Sequence, residues 1–124
     1  MLAGGSQVSS SLEDYLEAIY HTVEAKGAAR PKDIALELEI ALKRLGAEEK
    51  AFDFIVASGE RGALPHGVAS DRLLGQDELV TIDFGCRMNG YHSDETVTVA
   101  LGRPDPQLDE IYEIAKQAHD RAIE

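Results

Sequence analysis

The chain has 124 residues, 44% of them hydrophobic and 28% charged, enough for one domain with a modest core. Its 12 Lys and Arg against 23 Asp and Glu give a net charge of −11, which disfavours nucleic-acid and anionic-membrane surfaces and leaves cation binding open. Cys86 is the only cysteine, no apolar run nears the roughly 18 residues of a membrane span, and no signal-peptide core is present, so the sequence reads as cytoplasmic and without internal disulfides.

Residues 1–9 are small and polar and read as a flexible leader. Ser10 and Glu13 have capping-box spacing, and Leu12, Leu16, Ile19, Tyr20 and Val23 recur at helical period until Gly27 ends the segment. A second helix is predicted from Pro31 to Leu45, with Ile34, Leu38, Ala41, Leu42 and Leu45 on its apolar stripe and Gly46 closing it. These two helices occupy 10–46. The texture then changes. Phe52 to Ala57 is a strand candidate, and 58–78 is a long loop carrying Gly59, Gly62, Pro65, Gly67 and Gly75. Leu79–Gly85 and Tyr91–Leu101 are the strongest strands, joined by Asn89-Gly90, the dipeptide of a type I′ turn. Arg103-Pro104-Asp105-Pro106 breaks the chain. A last helix follows, with Leu108, Ile111, Tyr112, Ala115, Ala118 and Ala122 on one face. The order predicts an α+β fold, an antiparallel sheet over 47–124 with helices packed on one face, in one compact domain.

The hairpin brings two acids together. With Asn89 and Gly90 as its loop, Arg87 faces His92, Gly85 faces Asp94 and Asp83 faces Thr96. Side chains alternate, so Asp83 and Asp94 are diagonal neighbours on one face, their Cβ atoms roughly 7–8 Å apart or somewhat less. Two carboxylates so placed can hold one cation or bridge two. Val80, Ile82 and Phe84 point the other way. Asp is depleted in strands, so the pair asks for a reason, the alternative being ordinary acids on a solvated sheet face. His66, in Ala63-Leu64-Pro65-His66-Gly67, is a candidate general base, acid or substrate donor, the alternative being an exposed loop histidine. His92, His21 and His119 read as surface residues, and Cys86 as a small packing residue.

Four segments in order carry a family resemblance: Phe52 to Gly59, Ala63-Leu-Pro-His-Gly67, Leu79-Val-Thr-Ile-Asp-Phe-Gly85, and Gly90-Tyr-His-Ser-Asp94 through Gly102. Over about residues 36–124 the chain resembles the Xaa-Pro aminopeptidases and dipeptidases, metallopeptidases of the pita-bread fold. The resemblance implies half of such a fold, with Asp83 and Asp94 as ligands of a dinuclear Mn²⁺ or Co²⁺ centre. It also implies that His66 contacts a peptide substrate and its developing charge. Two departures follow. The family's remaining His and two Glu ligands have no counterpart here, so two of five metal ligands are present and little peptidase activity is expected. Val97 stands where the family usually has an arginine. A half-fold also implies a homodimer that covers what the missing half would cover.

Residues 10–36 resemble the opening of iron- or manganese-responsive winged-helix repressors, with Asp14 and Glu17 matching metal ligands of that family. The combined expectation is a hybrid or truncated chain. Three functions stay open: a metallopeptidase half-domain, a DNA-binding regulator fragment, and a non-catalytic fusion or engineered scaffold.

Overall fold

The computed structural model of the chain describes residues 29–124. The leader and the first predicted helix, with Asp14, Glu17 and His21, lie outside the described residues. Helix α1, Pro31–Arg44, opens on a proline, whose fixed φ and missing N–H suit a first turn. Asp33 sits in its first turn and Lys43 and Arg44 in its last, each sign complementing the helix dipole. The chain leaves α1 at Leu45, and Gly46, at φ 102°, takes the left-handed conformation that ends it. Leu45, expected on the apolar stripe, is 54% exposed, because the chain turns away at that position.

Seven further regular elements follow: β1 (Glu49–Lys50), β2 (Ile55–Ser58), a 3₁₀ turn (Gly59–Ala63), β3 (Glu78–Phe84), β4 (Cys86–Met88), β5 (Tyr91–His92) and β6 (Glu95–Leu101). Helix α2 (Pro106–Ile123) closes the sequence of elements. The strands form two antiparallel sheets, ordered β2-β3-β6 and β1-β4-β5. The fold is therefore α+β, as the element order predicts. The first predicted strand starts at Ile55 rather than Phe52, and the long loop begins with the 3₁₀ turn.

Asn89 (φ 51°) and Gly90 (φ 81°) both occupy the left-handed region that a type I′ turn requires. The turn sets the pairing: Arg87 faces His92, and Asp83 faces Thr96. The register is continuous, but the ladder splits around Gly85 and Ser93, where β3 gives way to β4 and β5 to β6. Ser93 N–H still donates to the Cys86 carbonyl across the split, at 2.9 Å.

Along β3 burial alternates strictly. Val80, Ile82 and Phe84 are buried against Ile34, Leu38 and Leu42 of α1, with Phe54 and Val56 beside them. Phe54 meets Phe52 and Phe84 edge-on, at centroid distances of 6.3 and 6.4 Å. Among the described residues this core uses one face of the β2-β3-β6 sheet; the 3₁₀ turn covers part of the other face, where Ala57 is buried, and the rest of that face is open. Val97 packs on the core side, opposite Ile82, which accounts for an apolar residue at that position. No residue of α2 is buried. Among the described residues, no helix is long and apolar enough to cross a membrane.

Candidate functional site

The open sheet face is where the site lies. Alternation puts Asp83 on it, between Ile55 of β2 and Thr96 of β6, its partners in the ladder. Asp94, just before β6, joins from the split hairpin. His66 reaches the same place from the long loop. Together with Phe52, Asp53, Ile55 and Val68 they line an open cleft of about 350 Å³. The three residues singled out in the sequence thus meet. His92, Cys86 and His119 do not line this cleft. The Cys86 amide donates to Ser93 Oγ at 2.9 Å, and His119 Nδ1 lies 3.1 Å from Asp120.

Asp83 is electrostatically unsatisfied. Burial pushes its carboxyl above the usual range, the nearby Asp94 charge adds to this, and a hydrogen bond with Thr96 opposes it. Asp83 Oδ1 is buried with no hydrogen-bond partner among the described residues. An orphaned acceptor beside a second carboxylate is a donor set that suits a hard divalent cation. Among the described residues no cluster of three or more metal-binding side chains forms around the pair.

The loop that carries His66 is tied at its base. Arg72 grips Glu78 with both guanidinium nitrogens at 2.9 Å and donates to Ser58 Oγ at 2.7 Å. The Gly75 N–H adds a bond of 2.6 Å to Glu78 Oε1. Glu78 begins β3 and Ser58 ends β2, so this clasp joins the two ends of the loop. Leu74 N–H, donating to the Ala29 carbonyl at 2.9 Å, anchors the loop to the start of α1.

The Arg72 guanidinium holds the Glu78 carboxyl below its ordinary 4.5, and the Gly75 N–H contributes in the same direction. A depressed carboxyl stabilises the fold above its unfolded pKa, and that stability is lost as pH falls through the folded value. Glu78→Gln is therefore expected to cost about 1.5 kcal/mol at pH 7, a charged hydrogen bond discounted for Arg72's exposure. The difference should shrink between pH 7 and pH 3. Urea unfolding at both pH values checks this.

Several cleft residues escaped the sequence reading. Ile55 and Val68 are ordinary apolar residues in sequence, and only the ladder and the loop's path bring them to Asp83. Phe52 and Asp53, expected as strand, precede β2 and line the cleft. The Arg72–Glu78 pair had no signal, since neither charge looks buried in a chain this acidic.

Residues 6–124 match the sequence profile of metallopeptidase family M24. The chain is 46% identical over 109 residues to an Xaa-Pro dipeptidase of Pyrococcus furiosus, spanning 88% of this chain and 30% of that protein. The prolidase structure from Pyrococcus horikoshii superposes with a TM-score of 0.79 at 36% identity, over 95% of this chain and 36% of that one. The X-Pro aminopeptidase structure from Thermotoga maritima gives 0.76 at 39% identity, over 90% and 32%. The chain thus spans about a third of the length of these relatives, and its fold is that of pita-bread prolidases. The profile runs through 10–36, so the repressor resemblance there, with Asp14 and Glu17 as repressor-type ligands, is not supported. Capping-box and Leu/Ile spacings recur in any amphipathic helix, which is why that stretch suited two families. One profile also spans both parts of the supposed hybrid, and by it the chain belongs to metallopeptidase family M24.

Proposed function

We propose that Asp83 and Asp94 are two ligands of a dinuclear Mn²⁺ or Co²⁺ centre, and that His66 meets a peptide substrate cut at an Xaa-Pro bond. The observation that carries this reading is the convergence of His66, Asp83 and Asp94 on one cleft, with Asp83 Oδ1 buried and unpartnered among the described residues. Membership in a metallopeptidase family supports the metal. Similarity to proteins named Xaa-Pro dipeptidase and X-Pro aminopeptidase supports the substrate class. A cation held in the cleft supplies Lewis acidity toward a peptide carbonyl and toward water. The chain's own residues do the rest. Phe52, Ile55 and Val68 give the cleft apolar walls that suit a proline ring. His66 offers a ring N–H to the substrate.

Two carboxylates are a partial ligand set for a transition metal. These 124 residues by themselves bind the cation weakly and do not turn over Xaa-Pro substrates. Calorimetric titration with Mn²⁺, beside an assay of Xaa-Pro dipeptide hydrolysis, tests both statements. The expected result is saturable binding that disappears in Asp83→Asn and Asp94→Asn, with no hydrolysis above background. Absence of binding, or binding indifferent to both substitutions, would overturn the metal assignment. Hydrolysis abolished by Asp83→Asn would keep that assignment and overturn the statement about turnover.

A further inference from the structure

Arg61 is unusual for its surroundings. The chain holds 23 acidic residues, yet among the described residues no carboxylate pairs with this guanidinium. Its Nε is buried without a partner among the described residues, and its Nη2 donates to the Val68 carbonyl at 3.1 Å. A half-buried cation that spends its side chain on one backbone carbonyl is held there at a cost, so the carbonyl it fixes is worth identifying.

Val68 lines the cleft, and the tip that presents His66 lies between Arg61 and Val68. The backbone of Arg61 grips the same tip. Its carbonyl accepts the Leu64 N–H at 3.0 Å. Gly67 packs against that carbonyl so closely that a Cβ there would lie 3.2 Å from it. Inside the tip, Gly67 N–H donates to the Leu64 carbonyl at 3.3 Å and Val68 N–H to the His66 carbonyl at 2.9 Å. Pro65 fixes one φ of the same segment. Arg61 thus holds both ends of the His66 tip, Leu64 with its main chain and Val68 with its side chain. The 3₁₀ turn that carries Arg61 rests on the open sheet face, with Gly62 above the Thr81 hydroxyl. The clamp is therefore referenced to the strand that carries Asp83.

We infer that Arg61 is a positioning residue for His66: its guanidinium bond to the Val68 carbonyl sets the height and direction of the His66 ring over the Asp83–Asp94 cleft. This rests on the reading that His66 meets the substrate, and it adds the group that aims it.

The test uses the full 124-residue chain and nuclear magnetic resonance, with Arg61→Met and Arg61→Lys. In Arg61→Met the His66 ring resonance is expected to broaden or shift. Hydrogen exchange at Gly67 and Val68 should accelerate tenfold or more, while Val80 and Ile82 in β3 keep their protection. Arg61→Lys, which retains a cationic donor, should recover at least half of that protection. Lys32→Met, which removes the exposed Lys32–Asp71 ion pair on the same loop, should leave His66 unchanged. Unchanged His66, Gly67 and Val68 signals in Arg61→Met would overturn the inference, as would equal acceleration in β3, which marks general destabilisation. If Arg61→Met does not fold, Arg61→Lys decides alone, through an intermediate shift at His66 or none. Mn²⁺ titration of the wild-type chain reports on the metal assignment separately, so failure of one reading is not failure of the other.

Discussion

Gly85→Ala is expected to destabilise the chain by at least about 3 kcal/mol, the upper end of overpacking costs. A Cβ at this position would overlap the Ser93 carbonyl oxygen and sit 2.8 Å from its carbon and 3.1 Å from the Phe52 ring. The first two neighbours are backbone atoms, so no rotamer change relieves the clash. Relief requires the hairpin to open at the point where β3 gives way to β4. That movement carries Asp94, the next residue after Ser93, away from Asp83. The substitution is therefore expected to lower both the urea midpoint and the affinity for Mn²⁺, whereas Gly90→Ala, strained at φ 81° but open in space, should lower the midpoint less and leave that affinity unchanged. Glycine is required at 85 for close approach, not for its φ. Urea unfolding and calorimetry on the two variants check the contrast.

Asp83→Asn is expected to stabilise the metal-free chain at pH 7 while weakening cation binding by at least about tenfold. Burial and the Asp94 charge raise the Asp83 carboxyl, so the folded state holds its proton more tightly than the unfolded state. For a raised carboxyl, stability is fully present below the unfolded pKa and is lost as pH rises through the folded one. At pH 7 the wild-type chain thus carries a cost that the amide removes. At pH 3 the carboxyl is protonated in both states, and the two chains should melt together. Added Mn²⁺ should raise the wild-type midpoint and leave Asp83→Asn where it was. A variant less stable than wild type at pH 7 without metal would contradict this account. Such a trade of stability for a charged pair would be the cost to the scaffold of holding a cation on this sheet face.

How legible this was in the sequence depended on how local the interactions are. The Asn89-Gly90 turn fixed the hairpin register, and the register fixed which face Asp83 takes. Both follow from backbone sterics and a period of two, so residue order alone suffices. Val80, Ile82 and Phe84 were assigned to the core on the same basis. The split at Gly85 was not legible, because it arises from the approach of Ser93, a through-space event. Nor was the cleft's far wall: Phe52, Ile55 and Val68 reach Asp83 only through strand pairing and the path of a loop with no period. His66 stood out by its motif, yet its support from Arg61, and the loop's closure by Arg72 and Glu78, rest on side-chain geometry. Leu45 shows the opposite error, a helical pattern carried one residue past the point where the backbone turned.

Helix α2 has no buried residue, and Ile111, Ile114 and Ile123 are 60%, 60% and 72% exposed. Among the described residues its hydrogen bonds and ion pairs are local: Asp105 accepts the Gln107 N–H at 2.8 Å, Pro106 fits the first turn, and Lys116 meets Asp120 at 3.5 Å, while Leu108 is half-buried. Isolated helices shorter than about 12–15 residues are marginal in water, and α2, with 18, is only a turn or so longer. The helix is therefore expected to open at a lower free energy than the sheet, so that the chain melts in two steps instead of one. Helical ellipticity will begin to fall at temperatures where the β3 amides are still fully protected from exchange. A midpoint taken from that ellipticity averages two events, and only the exchange of β3 reports the free energy that holds Asp83 in place.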